Sequence, residues 1–193
     1  MYDLHRLGWN SFQQLCLTIA REVLGQTVQS FLDSNDAGRD GAFAGSWTPS
    51  PGQHFSGNFV IQCEFSSKAG SLLTKSGIAD EIPKVRRLVS DGLCDVYILM
   101  TNAGMSAKQE AQIKAALSGA GVKDVLLCGS TWIEDQIREN TRLRMLVPRV
   151  YGLGDLSQIL DQRAYAQARA VLESLRDDLA KVVITESYRK AVN

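Results

Sequence analysis

Four oxygen-bearing side chains, Gln13, Asp40, Gln62 and Glu64, lie in segments that could present them together. Asp40 lies between glycines in a turn at residues 38–41, where a flexible backbone lets a carboxylate project from the edge of a sheet. Gln62 and Glu64 are two residues apart in an otherwise apolar strand, so they share one of its faces. Oxygen ligands of this kind suit Mg²⁺, which can polarise a phosphate and activate water for phosphodiester hydrolysis.

Each of these residues also has an ordinary structural explanation. Asp40 suits a turn, Gln62 and Glu64 suit an exposed strand face, and Gln13 on the first predicted helix suits a helix surface. On spacing alone, the structural explanation is favoured.

The composition bounds the class of protein. The chain has 193 residues, of which 45% are hydrophobic, enough for one substantial α/β core. Lys and Arg total 21, as do Asp and Glu, so any nucleic-acid contact must come from a local basic patch. The four cysteines are far apart and predict buried, reduced thiols. No apolar stretch approaches the roughly 20 residues that span a bilayer, so we expect a cytoplasmic protein with no membrane partner.

Hydrophobic periodicity predicts a mixed sheet flanked by helices, followed by a C-terminal helical extension. Pairs of Ser or Thr with Gln or Glu three residues later predict capping boxes at Ser11, Ser106 and Thr131. The chain from 48 to 57, with Pro49 and Pro51, is predicted as a loop. The predicted helices are 12–24, 78–90 (with Pro83 as a marker of the true start), 106–120, 131–139 and 156–183, and the predicted strands are 27–32, 58–65, 95–101 and 123–128, with a further segment at 42–47.

Four short motifs follow one another along the chain. They are Phe-Gln-x-Leu at 12–15, Asp-Ala-Gly-Arg-Asp-Gly at 36–41, Val-Ile-Gln-Cys at 60–63 and Tyr-Ile-Leu-Met-Thr-Asn at 97–102. Their order and spacing resemble the Mrr-type restriction endonucleases of the PD-(D/E)xK, or restriction-endonuclease-like, superfamily. The resemblance covers about residues 9–140. It implies a restriction-endonuclease-like α/β fold for residues 1–150 and a metal-dependent DNA endonuclease activity.

The resemblance also implies roles for individual residues. Asp40, Gln62 and a backbone oxygen of Cys63 are expected to bind Mg²⁺, with Mn²⁺ as a substitute. The position of Glu64 completes the catalytic set with Asp40 and Gln62. The assisting residues are Gln13, Asp36 and Lys68.

Two positions depart from the pattern of that family. Its strand motif is Gln-x-Lys, whereas this chain has Glu64 in the lysine position, and the neutral Gln13 stands where the family usually has Glu. Charges about 4 Å apart interact by about 4 kcal/mol at an effective dielectric of roughly 20, so reversing the sign at position 64 is expected to impair catalysis. If the extended strand continues, Lys68 lies on the same face but about 13 Å from Glu64, too far for a simple swap.

The origin of Glu64 has three explanations. An engineered inactivating replacement, which would protect an expression host from an active nuclease, is preferred over a natural variant. In the third explanation Glu64 is a native third metal ligand.

Basic residues near the proposed site provide a path for double-stranded DNA. Phosphate contacts from such residues would hold a duplex without reading its sequence. An ordinary solvated helix face explains them equally well. They are Arg39, Lys68, Lys75, Lys84, Arg86 and Arg87.

Residues 151–193 are predicted to link this domain to a missing C-terminal region. The last segment, 185–193, resembles the short helix that precedes the P-loop in STAND-type NTPases of bacterial anti-phage defence. That resemblance implies an N-terminal nuclease effector fused to an NTPase sensor and expected to form a homo-oligomer on activation.

Two other functions compete with the nuclease. A non-catalytic nucleic-acid-binding or assembly module could keep the fold without the lysine. A nucleotide-consuming effector, such as a TIR-like NADase, would need a phosphate-binding or acidic pocket in the βα loops, and no glycine-rich phosphate loop is found in the sequence.

Overall fold

A five-stranded sheet is the framework of the protein, whose computed structural model describes residues 2–31, 39–150 and 166–176, without the side chains of 148–150. The first three strands are antiparallel and the last three are parallel, so β3 belongs to both arrangements. In spatial order the strands are β1 (Gln29–Ser30), β2 (Gly41–Ser50), β3 (Gln53–Glu64), β4 (Val96–Thr101) and β5 (Asp124–Cys128).

Helices cover both faces of this sheet. One face packs against α1 (Trp9–Leu24), α4 (Ser130–Glu139) and α5 (Thr141–Val150). The other face packs against α2 (Glu81–Ser90) and α3 (Ala107–Ser118). The predicted class, an α/β fold with a mixed sheet, flanking helices and a C-terminal helix, is therefore confirmed.

The central strands divide their side chains between the two cores. Along β4, Val96, Ile98 and Met100 belong to the α1 side, while Tyr97 and Leu99 belong to the α2 side. The same alternation along β3 places Ile61 on the α1 side and Val60 on the α2 side. Gln62 and Glu64 therefore follow Val60 onto the α2 side.

Two compact units divide the chain, Met1–Leu153 and Gly154–Asn193. In the second unit the described residues are 166–176, which form a helix whose residues are all exposed. The predictions for Asp36, for 185–193 and for the rest of the linker lie outside the described residues. Within those residues, none of the helices combines the length and the apolar character that crossing a bilayer requires.

Three sequence predictions about elements are wrong. The predicted loop at 48–57 is mostly strand, because β2 continues to Ser50 and β3 begins at Gln53. Helix α1 begins at Trp9 with Gly8 as its N-cap, so Ser11 does not cap it. Similarly, α4 begins at Ser130 with Gly129 as its N-cap, and Thr131 lies inside the helix.

Gly41 allows α1 to approach the sheet beside the predicted metal site. A Cβ atom at Gly41 would lie 2.7 Å from Leu17 Cδ2 and 2.9 Å from Val28 Cγ1, inside van der Waals contact. Both neighbouring side chains are buried, so they have little room to move. The glycine that begins β2 is thus required by packing.

We expect Gly41→Ala to destabilise the protein by about 1–3 kcal/mol through overpacking. Gly77→Ala is the matched control, because a Cβ there would meet its nearest atom at an ordinary 3.5 Å. Urea unfolding measures both variants. Equal free energies of unfolding for the two variants would contradict this packing analysis.

Candidate metal-binding site

Asp40 lies immediately before β2, at the end of the ladder that joins β2 to β3. Its backbone N–H donates to the Ile61 carbonyl at 3.0 Å, which holds the residue against β3. The first pair of that ladder is Gly41 with Ile61. Because the strands are antiparallel, Asp40, which precedes Gly41, lies opposite Gln62, which follows Ile61. Asp40 is buried, with 8% of its surface exposed. The turn at 38–41 thus delivers a carboxylate to the strand that carries Gln62, although Gly38 itself is not among the described residues.

The carboxylate of Asp40 bonds two parts of the chain. Its Oδ1 accepts a hydrogen bond from Gln13 Nε2 at 2.7 Å, and its Oδ2 accepts one from the backbone N–H of Cys63 at 2.6 Å. Hydrogen bonds to a carboxylate are short and strong when the donors are well placed. The structure therefore brings together three of the predicted site residues, which come from α1, the start of β2 and β3.

Gln62 is a buried polar residue with an unsatisfied oxygen. Only 9% of its surface is exposed, and its Oε1 has no hydrogen-bond partner among the described residues. A buried acceptor left unpaired costs about 1–3 kcal/mol, so such atoms call for a partner. Gln62 Oε1 can therefore accept a hydrogen bond or coordinate a cation.

The donor set around Gln62 fits a hard divalent cation. Asp40 supplies a carboxylate and Gln62, opposite it across the β2–β3 ladder, supplies an amide oxygen, and both groups are of the type that Mg²⁺ prefers. Among the described residues there is no group of three or more His, Cys, Asp or Glu side chains able to hold a metal. A Mg²⁺ site commonly uses one or two carboxylates and completes its shell with water.

The thiol of Cys63 lies on the α1 side of β3, where it interacts with both the Cys16 thiol and Asp40. It hydrogen-bonds the thiol of Cys16 on α1, and this bond, together with burial, raises the pKa of Cys63 well above its ordinary value. A neutral thiol on the α1 side is a poor ligand for a hard cation. If Cys63 contributes to a metal site, it does so through its backbone, as the family resemblance implies.

Glu64 is a half-buried carboxyl group in an unfavourable electrostatic environment. Burial raises its pKa from 4.5 to about 7, with further increases from the charges of Glu81 and Asp40, while Lys84 opposes them. These interactions show that Glu64, Glu81 and Lys84 share one electrostatic environment on the α2 side of β3.

Glu81 is a site residue that the sequence analysis missed. Only 5% of its surface is exposed; its Oε1 accepts a hydrogen bond from Lys84 Nζ at 2.6 Å, and its Oε2 accepts a long one from the Tyr97 hydroxyl at 3.5 Å. The sequence did contain a signal, because Glu81, Val85 and Leu88 occupy one helical stripe and the other two members are apolar. A carboxylate on the buried face of a helix needs partners.

Asn102 is a second residue whose role the sequence left undefined. Its Oδ1 accepts from the Ser66 backbone N–H at 2.8 Å, and its Nδ2 donates to the Ser66 carbonyl at 2.7 Å. This pair of bonds ties the chain just after Glu64 to the loop that follows β4. Asn102 therefore fixes the end of the strand that carries Gln62 and Glu64.

The remaining predicted residues lie around this centre. Strand β3 ends at Glu64 and Lys68 lies in an exposed bend, so the prediction that Lys68 continues the strand face is wrong. Arg39 is half-buried, with its guanidinium 4.6 Å from the centre of the Phe31 ring. The other DNA-binding candidates, Lys75 before α2 and Arg86 and Arg87 on α2, are exposed.

Comparisons of the chain with models of known protein families and with curated proteins find no match. The mixed sheet is compatible with a restriction-endonuclease-like fold but is not specific to it. The assignment of function therefore depends on the chemistry of the site in this chain.

The raised pKa of Glu64 makes a prediction about stability. A carboxyl whose pKa is higher in the folded than in the unfolded state stabilises the fold below its unfolded value, near 4.5, and this contribution is lost as the pH rises through about 7. Glu64→Gln, which carries no charge at any pH, should therefore raise the melting temperature more at pH 8 than at pH 5. Thermal scans in the presence of a chelator measure the difference.

Glu139→Gln is the matched control, because Glu139 is an exposed carboxyl at the end of α4. Its effect on the melting temperature should be small at both pH values. A gain from Glu64→Gln that is the same at pH 5 and pH 8 would show that Glu64 does not experience the unfavourable environment described here.

Proposed function

We propose that this chain is a metal-dependent endonuclease domain that hydrolyses phosphodiester bonds in double-stranded DNA. The observation that carries the proposal is the buried, unpartnered Gln62 Oε1 on the strand whose backbone binds Asp40. A purely structural role for Gln62 would leave that oxygen uncompensated, whereas a cation held with Asp40 gives it a partner. The order of motifs shared with the Mrr-type family supports the same function.

The residues that would hold Mg²⁺ or Mn²⁺ are Asp40, Gln62 and the backbone of Cys63. When bound, such an ion polarises the phosphate and lowers the pKa of a coordinated water. Gln13 and the backbone N–H of Cys63 fix the orientation of the Asp40 carboxylate through their hydrogen bonds. Fixed donors of this kind reduce the reorganisation that a reaction requires.

Basic residues around the site are proposed to bind the DNA backbone. Lys75 presents an exposed cation before α2, Arg86 and Arg87 present two in the C-terminal half of that helix, and Lys68 presents another just beyond β3. Contacts of this type give affinity that falls with salt concentration and carries little sequence preference. Arg39 joins them from the turn before Asp40.

Glu64 limits the activity of the chain as written. A carboxylate beside the scissile phosphate repels it, and the family pattern has a lysine at this position. We therefore propose an impaired nuclease whose domain serves as an effector, fused to a C-terminal NTPase region and oligomeric when activated in anti-phage defence. The effector proposal rests on the sequence of residues 185–193, outside the described part of the chain.

A non-catalytic nucleic-acid-binding module is the second candidate. The observation that favours it is Glu64 itself, because a binding protein has no need for the lysine that a nuclease of this family uses. The two functions differ in what restoring that lysine would do.

We expect Glu64→Lys to increase cleavage of plasmid DNA by about 10² to 10⁴, the range in which a positioned acid–base group contributes to rate. Cleavage should require Mg²⁺ or Mn²⁺ and stop with EDTA. Adding Asp40→Ala to this variant should abolish it, because the carboxylate of the metal site is lost.

The assay should include an artificially dimerised protein, because the effector is proposed to work as an oligomer. If the dimerised Glu64→Lys variant binds DNA but does not cut it with either metal, the chain is a binding module. Cleavage that persists in EDTA would exclude the metal-dependent mechanism.

A further inference from the structure

Helix α2 carries a charged pair beside the candidate site, formed by Glu81 and Lys84 in its first turn. Lys84 Nζ lies 2.6 Å from Glu81 Oε1. The carboxylate is nearly enclosed, with 7% of its side chain exposed, while 44% of the Lys84 side chain is exposed. The pair thus places a buried anion under a cation that still reaches solvent.

Packing on the central strand holds this pair in place. The Tyr97 side chain is fully buried in β4, and its hydroxyl donates to Glu81 Oε2. Val85 and Leu88, on the same stripe of α2, are buried in the core on that side of the sheet. Tyr97 contacts the Glu81 carboxylate, and the packing of Val85 and Leu88 fixes the helix. The Lys84 ammonium is positioned through its ion pair with Glu81.

Glu64 lies within electrostatic reach of the pair. Tyr97, which contacts Glu81, pairs with Val60 of β3, and Gln62 and Glu64 follow Val60 on the same side of that strand. The pair therefore lies on the side of the sheet that carries Gln62 and Glu64, and the electrostatic effects of Lys84 and Glu81 on Glu64 agree with this placement. Lys68 is a poor alternative source of positive charge, because it lies in an exposed bend after the strand. Lys84, in contrast, forms an ion pair with the buried carboxylate of Glu81.

We propose that Lys84 supplies, from helix α2, the positive charge that the Mrr-type family places two residues after the glutamine on the strand. This inference rests on the proposed nuclease function and deepens it. In hydrolysis, water adds across one P–O bond of the DNA backbone and leaves a phosphate monoester and a hydroxyl. Lys84 keeps its proton throughout and offsets the charge of the phosphate, while Glu81 positions it.

This role gives the unmodified chain a residual, Lys84-dependent activity. Glu64 still repels the phosphate, so cleavage remains slower than in Glu64→Lys. The role of Lys84 also predicts that it repels a bound divalent cation, because both are positive and both would act on the same phosphate.

The test uses Lys84→Ala in the full chain and Lys123→Ala as the matched control. Lys123 is exposed and precedes β5, at the opposite end of the parallel strands from Glu64. We expect Lys84→Ala to reduce Mn²⁺-dependent cleavage at least tenfold and to bind Mn²⁺ several-fold more tightly in a titration without DNA. A lysine that only stabilises the helix would lower activity without tightening Mn²⁺ binding. Circular dichroism checks that each variant is folded.

A double variant distinguishes failure of this inference from failure of the proposed function. Glu64→Lys combined with Lys84→Ala should cut DNA, because the strand lysine replaces the lost charge. If Glu64→Lys cuts but Lys84→Ala changes neither the cleavage nor the Mn²⁺ affinity of the unmodified chain, the role of Lys84 is overturned and the nuclease assignment stands. The same conclusion follows if the unmodified chain never cuts. If the dimerised Glu64→Lys variant does not cut, both proposals fail.

Discussion

The Asp40 carboxylate joins parts of the chain that are far apart in sequence. It accepts hydrogen bonds from Gln13 on α1 and from the backbone of Cys63 on β3, while its own N–H donates to Ile61. These contacts fix the position of the first helix relative to the end of β3. The closely packed Gly41 serves the same junction, because it lets α1 approach the sheet where Asp40 enters it. The candidate site therefore sits at a point that the fold itself constrains.

Electrostatic balance is the second constraint on this region. Asp40, Glu64 and Glu81 place negative charge around the end of β3, and Lys84 is the cation whose effect on Glu64 opposes it. Burial makes such an arrangement costly, because charges are weakly screened away from water. A protein can relieve the cost by protonating Glu64 or by binding a cation. The raised pKa of Glu64 is an expression of this imbalance.

The sequence predicted those elements whose pattern is dominated by burial. Strands β4 and β5 are continuous apolar runs, and their predicted bounds differ from the observed ones by a residue. The capping box of Ser106 with Gln109 is confirmed at the start of α3. Pro83 marked the start of α2 correctly, since it lies in the first turn, where a missing N–H costs little.

Predictions failed where tertiary contacts override a local signal. Pro49 suggested a loop, but β2 pairs with β1 only through its first residues, so the proline lies on an open edge beside a register shift that tolerates it. Helix α5 was not predicted, because Pro148 and several arginines obscure the stripe that buries Leu143.

The candidate site was predictable in part, for the same reasons. Residue type and spacing made Asp40, Gln62 and Glu64 candidates and the family resemblance gave them their expected roles, whereas Glu81 depends on how α2 packs over β3. Lys68 was misplaced because its distance was reckoned along a continued strand, although the predicted strand ended at residue 65 and the observed one ends at Glu64.

The central claim is that Asp40 and Gln62 hold a divalent cation. A crystal of the protein soaked in Mn²⁺, with anomalous diffraction data, tests it most directly. The account predicts an anomalous peak about 2 Å from both an Asp40 carboxylate oxygen and Gln62 Oε1, the distance expected for small hard cations. A map without a peak there, in which Gln62 Oε1 instead accepts a hydrogen bond from a protein group, would contradict it.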